Sequence, residues 1–297
     1  MVLSQNLKPM PRRQLRLKEW APLTDQLLRP TVEYLEATDG SLRDIEYRIR
    51  TNSDGFIIPP PMDLANISDT VIFFGDSFVE STYVPENQRF VADVQSNLIE
   101  ACLPTHCFNA GYSGASSLHM LMSLIGKVGR RPSTTIVFVV PSNDAFALLK
   151  KGGFWCQLDK RYSPLVPVPN NVDVSTQPLD LTDLLAVLNL FVDACHRLRL
   201  GLVLATFPHR TAEFDSDHWL LRRFKSKAHY ARSLQWRNSV NSVVRSVANR
   251  LLLPFVDLET MVSMKTDWFY DDVHMNEAGS AGISKIFSDF LISMKRN

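Results

Sequence analysis

Ser77, Asp271 and His274 are the residues whose types and spacing point most directly to chemistry. A serine hydroxyl is a weak nucleophile unless a base takes its proton and a third group orients that base. His274 suits the base, and Asp271, three residues earlier, suits the orienter, because an Asp-x-x-His turn can hold both on one side of a loop. Asp272 competes for the same role. Ser77 lies in Val71–Glu80, VIFFGDSFVE, where four apolar residues stop at Gly75-Asp76-Ser77. A hydroxyl just past the C-terminal end of a buried strand sits where open α/β sheets place their ligands. Each piece also has a plain structural reading. Gly-Asp-Ser can be a polar turn whose Asp76 or Ser77 caps the next segment, and Asp271 or Asp272 can cap the last helix beside a surface histidine.

Acyl transfer also requires donors for the oxyanion of a tetrahedral intermediate. Three are available in the sequence: the backbone N–H of Ser77, a backbone N–H at Gly114, and the side-chain amide of Asn143. Glycine suits a position where backbone approaches a ligand closely, although a tight strand-to-helix turn needs it as well. Asn143 beside Asp144 equally suits an Asx turn. Losing one oxyanion donor raises a barrier by about 2.7–4 kcal/mol, so each of the three would matter.

The elements that must position these residues follow a strand–helix rhythm from Asp69 onward. Val71–Phe74, Cys107–Asn109, Thr135–Val140, Leu202–Thr206 and Pro254–Leu258 read as strands. Helical spacing marks 88–102, 117–128, 179–198, a segment ending near Arg250, and Glu277–Met294. Five strands alternating with helices predict a parallel sheet covered on both faces. The polar clusters fall directly after strands or just before the last helix, so all can converge on the edge beyond the strand C-termini. Residues 1–68 read as an N-terminal extension packed on a main domain of residues 69–297. Within it, a short helix is expected over Lys18–Leu28, and Thr31–Ala37 and Asp44–Arg50 are expected to flank Asp39-Gly40 as a β-hairpin. Residues 150–178 and 207–237 break the rhythm as irregular excursions, of the kind that often form lids or binding loops.

Composition narrows the class. The chain has 297 residues, 45% hydrophobic and 21% charged, with a formal net charge of +1. That balance argues against a dedicated nucleic-acid binder. The basic N-terminus has no apolar core of a signal peptide, and no apolar run reaches the roughly 18 residues needed to span a bilayer, so a cytoplasmic protein with no integral membrane segment is expected. Cys102, Cys107, Cys156 and Cys195 have no zinc-like spacing, and free buried thiols are expected. No metal or organic cofactor is implied.

Gly75-Asp76-Ser77, the Asn109-x-Gly-x-x-Gly114 run, Asn143-Asp144 and Asp271-x-x-His274 together resemble the blocks of the SGNH (GDSL-type) hydrolase superfamily, over about residues 70–294. The resemblance implies a three-layer α/β/α sandwich with a five-stranded parallel sheet. It also implies Ser77 as nucleophile, Ser77, Gly114 and Asn143 as the oxyanion hole, and Asp271 with His274 as the rest of a triad, the family spacing favouring Asp271 over Asp272. Phe78 replaces the usual Leu after the serine, and Ser142 stands where many members have Gly. The segment IEYRIRTNSDGF resembles, more loosely, the lead-in of bacterial members tied to surface-polysaccharide modification. The expectation is therefore a serine-dependent O-acyl, preferably acetyl, esterase or O-acetyltransferase acting on a carbohydrate, with a small-molecule or glycan ester as partner. Trp155 and Tyr162 are candidates for stacking on sugar rings, and Arg222 and Arg223 for meeting an acidic glycan. A lipid or thioester acylhydrolase is the alternative within the same chemistry. An inactive glycan-binding module on the same scaffold is the alternative outside it.

Overall fold

The computed structural model describes residues 14–61, 67–155, 165–166 and 177–296. Among these, the strands are β1 (Gln14–Leu15), β2 (Asp25–Leu28), β3 (Tyr47–Arg50), β4 (Thr70–Phe74), β5 (His106–Asn109), β6 (Thr134–Val139), β7 (Leu165–Val166), β8 (Gly201–Ala205) and β9 (Phe255–Val256). Five of them form one parallel sheet in the order β5-β4-β6-β8-β9. The order reverses between β4 and β6, and that switch point is where doubly wound sheets open a crevice beyond the strand C-termini. Ser77 follows β4 and Asn143 follows β6, so chain order alone brings both to the crevice.

Successive strand residues face opposite sides, and β4 needs apolar residues on both. Phe73 packs edge-on against Phe90 of α3 (Phe90–Glu100) and Phe287 of α10 (Glu277–Arg296). Phe74 points the other way and meets Phe191 of α6 (Thr182–Leu198), which also stacks on Phe138 at 4.2 Å. The second layer is completed by α4 (Ser117–Ser123) and α8 (Lys227–Arg250), both packed against α6. Each strand boundary lies within one or two residues of its sequence expectation, except that β9 keeps only two of five residues. The helix expected over 117–128 ends at Ser123 and continues as a π-turn, Leu124–Val128.

The N-terminal segment differs from expectation. A two-stranded antiparallel pair is present, but its first strand is β2, where a helix was expected, paired with β3. Thr31–Ala37, expected as a strand, is capped by Thr31 and forms helix α1 (Val32–Glu36). The local β-branched and aromatic residues are outweighed by the cap and by packing of Tyr34 on Tyr83 and Tyr270. Cys107 and Cys195 are free and buried, Cys102 is free and exposed, and Cys156 lies outside the described residues.

Arg210 ties the N-terminal segment to the loop before Asp271. Its guanidinium donates to Asp217 at 2.7 Å, to Asp39 at 2.6 Å and to the Phe269 carbonyl at 3.0 Å, and its side chain is only 10% exposed. Removing one partner of a buried ion cluster strands the others. Arg210→Met is expected to lower unfolding stability by about 3 kcal/mol in urea denaturation, and an unchanged midpoint would refute the tie.

Candidate active site

The β4 strand ends at Phe74, and after Gly75 the Asp76 side chain starts a single helical turn, α2 (Ser77–Glu80), by accepting from the Phe78 N–H at 3.0 Å. The other carboxylate oxygen of Asp76 reaches across to the end of β6. It accepts from the Ser142 hydroxyl at 2.7 Å and the Asn143 amide at 3.0 Å. Ser142 therefore adds a hydrogen bond that a glycine there could not make. Asp144 next to it is buried and binds Ser117 at the start of α4, through the Ser117 N–H at 2.9 Å and the hydroxyl at 2.5 Å. Burial raises its carboxyl to about 8 despite those hydrogen bonds.

After β5, Asn109 folds the following loop back over α2. Its amide donates to the Val79 carbonyl at 2.6 Å, while its own oxygen accepts from the Gly111 N–H at 2.8 Å. A side chain at Gly111 would collide with the backbone of Val79 and Glu80, so the loop can lie this close only as glycine. Gly114 sits at φ +71°, the left-handed region that glycine occupies without strain. Among the described residues, neither the Ser77 N–H nor the Gly114 N–H has a hydrogen-bond acceptor, and both residues border the same cavity.

The loop between Phe269 and α10 delivers the last two groups. Asp271 accepts from the backbone N–H groups of Val273 and His274 at 2.9 and 2.7 Å, which locks the turn. Its second oxygen lies 2.6 Å from His274 Nδ1, and His274 Nε2 lies 2.7 Å from Ser77 Oγ. Tyr270 stacks on the imidazole at 5.6 Å. Asp272 turns away and pairs with the buried Arg237; burial alone would raise its carboxyl, but Arg237 holds it below the usual range. Burial also works against a charged His274, yet the charge and hydrogen bond of Asp271, helped by Asp272 and Asp76, outweigh it and lift the imidazole to about 9. A hydroxyl, an imidazole and a carboxylate in one hydrogen-bonded line can pass a proton from Ser77 to His274 while Asp271 steadies the resulting charge.

The other expected site residues divide. Asn143 borders the cavity, but its amide already donates to Asp76 and to the Ala115 carbonyl at 3.1 Å. An oxyanion must therefore share or displace one of these bonds to use it. Arg223 lines the cavity, whereas Arg222 donates to the Thr38 carbonyl and faces a separate, smaller pocket. Neighbouring residues on α7 (His218–Arg223) point about 100° apart, and the two arginines accordingly line different pockets. Trp155 is 54% exposed and lies off the cavity wall. Tyr162 is outside the described residues. The cavity, about 1030 Å³, is instead walled by Trp20, Tyr34, Tyr83, Tyr112, Phe146 and Trp219. These aromatics come from scattered segments with no shared sequence period, and the three-dimensional fold alone gathers them.

A parallel sheet in this order, with these junctions at its C-terminal edge, defines an α/β/α hydrolase of the SGNH type. The chain belongs to the GDSL-like lipase/acylhydrolase family, whose model matches residues 73–281. Among solved structures, the acetyl xylan esterase AlAXEase is 14% identical, with 74% of this chain and 98% of that chain covered and a TM-score of 0.52. An acetylxylan esterase from Geobacillus stearothermophilus is 16% identical, over 77% of this chain and 96% of its own, with a TM-score of 0.51. The psychrotrophic esterase EstA from Pseudoalteromonas sp. is 12% identical, over 77% and 100% of the two chains, also at 0.51. These likenesses concern the fold. No curated protein matches the chain. Among the described residues, no helix is long and apolar enough to cross a membrane.

The charge around His274 gives a direct prediction. Its imidazole should titrate near pH 9 by NMR, well above the ordinary 6.5. Only the neutral imidazole can accept the Ser77 proton, so kcat/KM for ester hydrolysis should climb with pH through the same value. Asp271→Asn removes the leading stabiliser of the charged form, so the titration should fall toward or below the ordinary histidine value. An imidazole that titrates identically in both proteins contradicts the electrostatic reading.

Proposed function

We propose that the chain is a serine-dependent O-acetyl ester hydrolase or O-acetyltransferase acting on a carbohydrate, working through an acyl-serine. The observation that carries this reading is the unbroken line Asp271–His274–Ser77 opening into a cavity with aromatic walls. Ser77 Oγ attacks the ester carbonyl as His274 Nε2 takes its proton. The negative charge that develops on the carbonyl oxygen faces the N–H groups of Ser77 and Gly114, with the Asn143 amide joining by sharing one of its bonds. Collapse of the intermediate breaks the bond to the alcohol, which leaves with the proton from His274. Water or an acceptor hydroxyl then gives a proton to His274 and attacks the acyl-serine carbonyl; as the bond to Ser77 Oγ breaks, His274 returns that proton to the serine, releasing the acid or the transferred ester.

The character of the cavity favours a sugar over a fatty chain. Apart from Leu28, Ala37, Gly114 and Val273, the wall is built of aromatic rings and polar or charged side chains. Flat aromatic faces with polar tips suit pyranose rings, whereas a long acyl chain requires an aliphatic channel. Two of the structures similar in fold are acetyl xylan esterases, which is consistent with a small acyl group on a glycan. Arg223 and Lys150 also border the cavity with no acidic side chain in ion-pair contact among the described residues. They suit a sugar that carries a carboxylate or phosphate.

Hydrolysis of p-nitrophenyl acetate should exceed that of p-nitrophenyl octanoate, and Ser77→Ala should abolish both down to the background of the bare scaffold. A marked octanoate preference would move the substrate to lipids or thioesters. Turnover that survives Ser77→Ala would remove the nucleophile.

A further inference from the structure

Glu80 is a buried carboxylate at the cavity edge that the proposed acyl transfer does not use. It lies one helical turn after Ser77 and is 2% exposed. Burial raises its pKa, and hydrogen bonds from Ser113, Thr82 and Trp20 oppose that rise. One oxygen accepts from the Trp20 indole N–H at 2.8 Å, and the other binds the Ser113 hydroxyl. Two residues before Trp20, the ammonium of Lys18 donates to the Gly114 carbonyl at 2.5 Å. The Trp20 ring also meets Tyr112 at 6.0 Å. Residues 18–20 thus contact all three members of Tyr112-Ser113-Gly114, directly or through Glu80. They lie outside the segment that the family model matches, which begins at residue 73.

We propose that Lys18, Trp20 and Glu80 are positioning residues that hold the Tyr112–Gly114 loop so that the Gly114 N–H faces the developing oxyanion. Lys18 fixes the peptide plane on one side of Gly114. Glu80 fixes Ser113 on the other side, and Trp20 keeps the Glu80 carboxylate from rotating away. The loop needs such support because Gly114, in the left-handed region and without a side chain, has many alternative conformations. An oxyanion donor acts only if it is in place before charge develops. The N-terminal segment is accordingly part of the active site. This rests on the reading of Gly114 as an oxyanion donor, and the test separates the two.

The experiment uses the full chain and p-nitrophenyl acetate. Lys18→Met, Trp20→Phe and Glu80→Ala are measured for kcat, KM and thermal midpoint, with Glu80→Gln as the conservative variant. A glutamine can accept from Trp20 and donate to the Ser113 oxygen, so it should recover most of the activity lost in Glu80→Ala. The first three variants should lose kcat by about 10- to 100-fold, since a misplaced group of this kind costs up to about two orders of magnitude. KM should hold within about two-fold, because ground-state binding does not use the oxyanion donors. Unchanged kcat in all three variants overturns the proposal. So does a loss confined to KM, or a loss of kcat that follows the fraction of unfolded protein. Failure of the underlying esterase reading would appear elsewhere, as wild-type turnover that Ser77→Ala does not diminish.

Discussion

The hydrogen bond between Ser77 Oγ and His274 Nε2 joins residues 197 positions apart, and the rest of the structure determines whether it forms. A contact of that separation must be held by rigid elements at both ends, because each side chain has several rotamers and the loops carrying them are short. One end is fixed by β4, clamped between two layers of aromatic side chains. The other is fixed by Asp271, which spends one oxygen on two backbone N–H groups and keeps the second for the imidazole. The sheet order supplies the third constraint, since the switch between β4 and β6 puts Ser77 and Asn143 at one crevice.

Electrostatics inside that frame follow from the same packing. Three carboxylates act on His274, and they outweigh its desolvation. Asp272 binds Arg237 and not the imidazole, so it acts on His274 through its charge alone and leaves the hydrogen bond to Asp271. The result is an imidazole with raised affinity for its proton, which in the proposed reaction strengthens proton abstraction from Ser77 at the cost of requiring a higher pH for the neutral form.

Much of this was legible in the sequence, and the parts that were not have identifiable causes. Strand–helix alternation and the residues at its junctions are local signals, written in short apolar runs and in polar residues directly after them. They located the sheet and brought Ser77, Asp271 and His274 to one edge. The N-terminal segment misled because Thr31–Ala37 alternates like a strand while its helix is decided by a Thr31 cap and by tyrosines from distant segments. The cavity wall was illegible for a related reason. Trp20, Tyr34 and Trp219 are neighbours only after folding, whereas Trp155 stands out in the sequence and lies away from the cavity. Arg222 and Arg223 look equivalent as adjacent cations, and helical geometry separates them.

The central claim is that Ser77 takes up the acyl group, and the most direct measurement is to trap it there. Rapid acid quench of the protein during p-nitrophenyl acetate turnover, followed by proteolysis and mass spectrometry, should find one acetyl group on the peptide containing Ser77. The adduct should be lost in Ser77→Ala. An acetyl group on another residue, or steady turnover with no acetyl adduct on Ser77 even in the presence of a slow-deacylating ester, would contradict the account.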